Sequence, residues 1–120
     1  MRAMRAPLAT IVLLGSLTFA GACGSKSPPN VAPEPKGKQA GDAELVEGRA
    51  IFVASCQRCH GARGQGLTGP RLAGVVTRAF PNITNEINFV TNGAGAMPAW
   101  GGKLTPAEIR SVVRYTREVL

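Results

Sequence analysis

Five residues constrain this chain more than any others: Cys56-Gln57-Arg58-Cys59-His60, a Cys-x-x-Cys-His run that holds the only histidine and two of the three cysteines. On a helix, positions i, i+3 and i+4 share a face, so two thiols and an imidazole are offered together to one planar ligand. The spacing is that of covalent haem attachment: the thiols add to two vinyl groups while the imidazole reaches the iron. Rival uses of these residues lack partners. Structural zinc takes about four protein ligands, and outside Cys23 the chain offers two cysteines and one histidine. A thioredoxin-like Cys-x-x-Cys needs a strand-helix-strand setting, which is missing, and a plain Cys56–Cys59 disulfide leaves the adjoining His60 without a role. One covalently attached haem c is therefore expected.

The motif also answers a problem of size. Asp42–Leu120 is a segment of 79 residues, a length at which a hydrophobic core by itself is marginal and a staple or cofactor is often required. Only 5% of the chain is aromatic, so a haem would contribute much of the apolar surface. Helical signals bracket the segment. Asp42 stands where it can cap a helix whose opening turns carry Glu44 and Glu47, and Leu45, Gly48, Phe52 and Ser55 share one face leading into Cys56. Thr105-Pro106-Ala107-Glu108 is a capping box with proline at the first helical position, followed by Ile109, Val112, Val113, Tyr115, Thr116, Val119 and Leu120. A short middle helix is expected near Thr84–Thr91. The predicted class is all-α.

A haem held by one histidine needs a second axial donor or stays open to small molecules. His60 is the only histidine, and Met1 and Met4 lie in an N-terminal leader, which leaves Met97 as the soft donor. It stands in Gly95-Ala96-Met97-Pro98-Ala99-Trp100, where glycine and proline suit an irregular backbone pressed against a flat cofactor. Methionine also fills gaps in cores, so Met97 reads as ligand or as filler; a loop setting without an apolar helical stripe favours the ligand. His60/Met97 ligation raises the reduction potential and closes the sixth position, which suits electron transfer rather than oxygen chemistry.

Cys56–His60, Gly69-Pro70-Arg71-Leu72, the stretch from Asn92 to Pro98, and Leu104-Thr105 followed by Tyr115 occur in an order that resembles the monohaem class I cytochromes c of the small bacterial type, across the whole of Asp42–Leu120. The resemblance implies about three main helices around one haem, with one porphyrin edge exposed to partners. It implies that the terminal helices cross where a glycine faces an aromatic, roles that fall to Gly48 and Tyr115, the absent side chain permitting close approach. It implies too that the main-chain carbonyl of Pro70 accepts from the axial His60, orienting it and strengthening it as a ligand. Trp100 would pack on the haem edge, donate to a propionate, or fill the core. The implied function is single-electron transfer between redox partner proteins of a respiratory or photosynthetic chain, with no small-molecule substrate. A haem enzyme or gas sensor of peroxidase type is the alternative, but it needs a displaceable distal ligand and acid–base help, which without a second histidine would fall to Arg or Glu. A dedicated cytochrome subunit of a larger redox complex would have other partners and the same chemistry.

Ahead of this domain, residues 1–22 read as an export signal: Arg2 and Arg5, the apolar Leu8–Ala20, and the small Ala20-Gly21-Ala22 before Cys23. An uncleaved membrane anchor is the alternative, since Ala6–Ser25 is uncharged and about the length of a bilayer span. Ala20-Gly21-Ala22-Cys23 also resembles a bacterial lipobox, with Ala20 where leucine is favoured. A cysteine left over after export needs an explanation, and a lipid anchor on Cys23 explains it better than an exposed thiol in an oxidising compartment. Residues 24–41 hold four prolines and three lysines, bury too little to fold, and read as a flexible linker with a reach between roughly 25 and 60 Å. The expected location is the periplasm or the outer face of a bacterial membrane, with membrane contact through lipid on Cys23. Without Arg2 and Arg5 the net charge falls from +7 to +5, and basic residues are not interleaved with aromatics; this argues against nucleic-acid binding. Arg110, Arg114 and Arg117 read as the solvated face of the last helix, while Arg58, Arg63, Arg71 and Lys103 lie nearer the haem-binding segments and are candidates to meet an acidic partner.

Overall fold

The first helix starts at Asp42 because that side chain takes over two backbone donors that a helix start leaves orphaned: it accepts from the N–H of Glu44 at 3.0 Å and of Leu45 at 3.3 Å. The computed structural model describes residues 30–120; the expected export signal at 1–22 and Cys23 lie outside the described residues. α1 spans Ala43–Ile51 and continues without a break through a π-helical turn, Phe52–Cys56, into α2, Gln57–His60. In that turn the Gln57 N–H donates to the Phe52 carbonyl, five residues back. One extra residue in a turn rotates everything beyond it by about 100° relative to the helix before it. An unbroken α-helix would aim Cys56 along the Leu45–Phe52 line. The wide turn lets Phe52 stay in the core while Cys56 and Cys59 are re-aimed, a feature that apolar spacing alone does not reveal.

The remaining helices are α3, Val76–Ala79, α4, Ile83–Asn92, and α5, Pro106–Glu118. Asn82 caps α4 through the Thr84 N–H at 2.8 Å. Thr105 and Glu108 form the expected capping box on α5, with Pro106 at its first position. Among the described residues there are no strands, only an isolated bridge between Ala94 and Met97. The architecture is all-α, as expected, with the middle helix one residue longer at each end and the short α3 as an addition.

α1 and α5 cross at Gly48. A Cβ there would overlap the Ser111 carbonyl oxygen and stand 2.6 Å from the Ser111 carbonyl carbon and 2.9 Å from Tyr115 Cβ, so only glycine allows this approach. Next to the crossing, Phe52 and Tyr115 are both fully buried with ring centroids 5.4 Å apart, a tilted pair of the kind aromatic quadrupoles favour.

Two expectations about charged and linker segments are corrected. Residues 32–41 are not free linker: Ala32 and Pro35 are buried, Ala32 joins Phe52, Val112 and Tyr115 in the core, and Gly37–Gly41 forms a 3-10 turn into α1. The strap is held through its backbone, which composition does not report. Tyr115 Oη donates to the Pro33 carbonyl at 2.8 Å, Arg49 donates to the carbonyls of Ala32 and Pro33, and Arg49 pairs with Glu34 at 2.7 Å. Burial pushes the Tyr115 phenol up to about 12, so it remains a donor across the working pH range. Nor is the arginine stripe a solvated face throughout: Arg110 is exposed as expected, but Arg114 and Arg117 are drawn in. Arg114 bridges Asp42, Glu44 and Glu118, each at 2.8 Å, tying the start of α1 to the end of α5. Arg117 reaches inward to the Phe80 carbonyl at 2.8 Å and to Glu86 at 2.9 Å.

Candidate functional site

α2 ends at Gly61, where φ is +81°, and the chain doubles back under the His60 ring. Gly66 N–H donates to the His60 carbonyl at 2.7 Å and Gly69 N–H to the Cys59 carbonyl at 2.8 Å, so the loop is sewn to the helix end. At Gly69 an added Cβ would stand 3.0 Å from His60 Cε1 and 3.1 Å from Nδ1; the bare backbone lets the loop lie against the imidazole. The next residue, Pro70, has its carbonyl oxygen 2.8 Å from His60 Nδ1. A carbonyl only accepts, so Nδ1 carries the proton and Nε2 presents a lone pair. This is the arrangement that a metal-binding histidine uses to fix its tautomer and raise its basicity.

Met97 comes from a different element. After α4, Gly93 at φ +68° and Gly95 at φ +56° turn the chain. Ala94 and Met97 then exchange backbone hydrogen bonds at 3.1 and 3.0 Å. Trp100 N–H returns to the Val90 carbonyl at 3.2 Å and Gly101 N–H to that of Thr91 at 3.0 Å, pinning the loop to the helix end. Gly93 has no room for a side chain: a Cβ would lie 2.6 Å from the Met97 carbonyl oxygen.

These pieces enclose a cavity of about 480 Å³, within the range of small-molecule and cofactor sites. Cys56, Cys59, His60, Pro70, Met97 and Trp100, all singled out in the sequence, line it together. Its remaining walls are mainly apolar, with Leu72, Val75, Val76, Phe80, Phe89, Val90, Val112 and Val113 among them. Both thiols are free, which disposes of a Cys56–Cys59 disulfide in this structure. Burial, reinforced by the neighbouring Cys59 thiol, pushes the Cys56 thiol up to about 11 and keeps it protonated at neutral pH. The donor set therefore fits a covalent haem: two free thiols on one helical turn, an imidazole with its Nε2 available, a thioether from another element, and an apolar enclosure. Among the described residues no group of three or more His, Cys, Asp or Glu side chains is placed to hold a bare metal ion.

Arg58 and Arg71 stand at the cavity and are exposed, and Lys103 Nζ lies 5.1 Å from the Trp100 ring centroid, a cation–π contact. Arg63 does not join them. It borders a separate groove of about 370 Å³ between the strap and the end of α5, beside Pro33, Glu34 and Lys36. The sequence reading missed Glu86, a cavity-lining acid only 5% exposed. Burial raises its carboxyl above the ordinary glutamate value, against the opposing pull of hydrogen bonds from Arg117 and Thr116. A signal existed: with Ile83, Ile87 and Val90, Glu86 falls on the apolar stripe of the middle helix.

Comparison with known proteins agrees with this geometry. Residues 43–115 match the family described as cytochrome c oxidase, cbb3-type, subunit III. The chain is 34% identical over 80 residues to cytochrome c6 of Chlorolobion braunii, covering 62% of this chain and 89% of that protein. It is 32% identical over 80 residues to the cbb3-type cytochrome c oxidase subunit FixP of Bradyrhizobium diazoefficiens, covering 63% of this chain but only 28% of FixP. The solved cytochrome c6 of the diatom Phaeodactylum tricornutum superposes with a TM-score of 0.53 at 35% identity, over 60% of this chain and 88% of that one. With the helices, the Cys-x-x-Cys-His turn and the apolar cavity in one place, the chain belongs to the cytochrome c oxidase, cbb3-type, subunit III family, as an all-α c-type cytochrome that carries electrons on a covalently bound haem.

Proposed function

We propose that the protein is a single-electron shuttle in which Cys56 and Cys59 hold the haem as thioethers and His60 and Met97 are the axial ligands. The observation that carries the reading is the convergence of these four side chains on one apolar cavity, with the His60 tautomer set by Pro70. When bound, haem supplies an iron that gains and loses one electron. The chain does the rest. Cys56 and Cys59 would hold the haem as thioethers, each thiol adding its S–H across a vinyl double bond with nothing released. Pro70 holds the imidazole plane, the Gly93–Trp100 loop delivers the Met97 sulfur, and the valine and phenylalanine walls exclude water, which favours a high potential. Arg58, Arg71 and Lys103 surround the site with positive charge, suited to steering an acidic redox partner by complementary potential.

Export and anchoring belong to the same proposal. The sequence around Cys23 supports lipidation, and because the strap from Ala32 onward is docked on the domain, a lipid on Cys23 would hold the domain closer to the membrane than a linker running to Gly41 would. No helix among the described residues is long and apolar enough to cross a membrane. A second reading, service as the cytochrome domain of a larger oxidase, rests on the matched family and on FixP, of which this chain spans about a quarter. Visible spectra of the purified holoprotein, ferric and ferrous, with and without carbon monoxide, test the shuttle. A ferric thioether charge-transfer band and inertness to carbon monoxide are expected, both lost in Met97→Ala with covalent attachment intact. If Met97→Ala leaves the spectrum, the potential and the inertness unchanged, Met97 is not the ligand and the shuttle loses its basis.

A further inference from the structure

Of the residues that line the haem cavity, Glu86 is the only acid, and its surroundings are built for two protonation states. Oε2 accepts from Arg117 Nη1 at 2.9 Å, and Arg117 is held in turn by the Phe80 carbonyl at 2.8 Å. A guanidinium only donates, so Oε2 is an acceptor in either state. Oε1 differs. It lies 2.9 Å from Thr116 Oγ1, which is also 2.8 Å from the Val113 carbonyl. A hydroxyl has one hydrogen and can serve only one of these acceptors fully. With Glu86 ionised, Thr116 turns its hydrogen to Oε1. With Glu86 protonated, Oε1–H donates to Thr116 Oγ1, and Thr116 donates to the Val113 carbonyl. Both arrangements leave every polar atom satisfied, so the fold does not force one of them on a buried carboxyl.

We propose that Glu86 is a redox-linked proton site: it takes up one proton from solvent at Oε1 as the bound haem gains one electron from a partner protein, and returns it on reoxidation. The inference rests on the shuttle reading and deepens it. The ferric site carries one more positive charge than the ferrous site, and charges inside a poorly solvated cavity interact far more strongly than in water. That charge favours the Glu86 carboxylate; reduction removes it and favours the acid. The other titratable or charged groups around the acid are Arg117 from α5, and Cys56, Cys59, His60, Arg58 and Arg71 elsewhere on the cavity wall. The two cysteines and the histidine are consumed in holding haem, and the arginines keep their charge, which leaves Glu86 as the side chain free to titrate. Burial shifts the window upward from the ordinary glutamate value of 4.5.

The test is the midpoint potential of the holoprotein against pH for the parent, Glu86→Gln and Arg117→Gln. The parent potential should fall with rising pH across one step of at most one proton per electron, a tenfold change in the redox equilibrium per pH unit, or about 59 mV. Glu86→Gln should remove that step, and Arg117→Gln, which deletes the stabilising cation, should move it to higher pH. A flat parent profile, or a step that survives intact in Glu86→Gln because the haem carboxylates cause it, overturns the proposal. Should Glu86→Gln fail to assemble, redox-difference infrared spectra of the parent decide: a protonated-carboxyl band that disappears on oxidation supports it, and its absence refutes it. Carbon monoxide inertness, read on the same samples, tests the shuttle reading separately.

Discussion

Replacing Gly48 with alanine tests the packing that sets the whole haem cavity. The added carbon would collide with the Ser111 carbonyl and with Tyr115 Cβ, and most of that obstacle is backbone, which cannot rotate aside. α1 and α5 must separate, and the Phe52–Tyr115 pair and the Tyr115–Pro33 hydrogen bond lie beside the contact. Overpacking of this kind costs about 3 kcal/mol when the neighbour cannot yield. Alanine recovers about 1 kcal/mol through its better helix propensity. The net loss of about 2 kcal/mol corresponds, for a domain of this size, to a fall in Tm of about 8–16 °C. Thermal unfolding of the ferric holoprotein, followed by circular dichroism and by the haem absorption band, measures it. Because Val112, Val113 and Thr116 of α5 line the cavity, both signals should shift together. A variant whose Tm stays within about 2 °C of the parent, or rises as propensity alone would have it, would show that the crossing is not close-packed and would refute the reasoning.

Three other perturbations probe separate parts of the account. Cys56→Ala with Cys59→Ala should abolish covalent haem and leave the domain without a cooperative thermal transition, since the cavity would lose the cofactor that fills it; a compact, cooperative haem-free double variant would contradict this. Tyr115→Phe removes one hydrogen bond to Pro33 and should cost about 1 kcal/mol, with faster amide exchange confined to the strap; the Pro33 carbonyl keeps its Arg49 partner, so no buried acceptor is orphaned. Arg114→Gln should lower stability at neutral pH by a margin that vanishes in acid. The Arg114 hydrogen bond holds Asp42 below the ordinary value of 3.8, so its contribution is complete above that pH and is lost as pH falls through the lower folded value; a margin that grows in acid would reverse the assignment.

Much of the site could be read without coordinates, because its chemistry is written in residue types at short range. Cys56, Cys59 and His60 are neighbours on the chain, Met97 is the soft donor that elimination leaves, and the caps at Asp42 and Thr105 depend on residues within one helical turn. The strap shows where that mode of reading stops. Its composition is that of a linker, yet Ala32 and Pro35 are buried and its carbonyls are gripped by Arg49 and Tyr115, from positions far along the chain. Composition measures what a segment can bury by its own side chains, not which backbone atoms another element will seize.

The sequence by itself determined the all-α class, the haem-binding turn and the candidate axial pair, each through local spacing or through a residue type with few alternatives, while the crossing of Gly48 and Tyr115 came from the family resemblance. Tertiary structure alone decided the π-helical turn that aims the cysteines, the inward use of Arg114 and Arg117, and the burial of Glu86 beside the cavity. The physical reason is common to all three. A charged side chain on a helix is solvated or buried according to what packs over it, and a turn widens when the packing gained on both sides outweighs the poorer backbone geometry. Such balances are struck between segments tens of residues apart; the apolar stripe of the middle helix hints at which face Glu86 shares, but not at what packs over it.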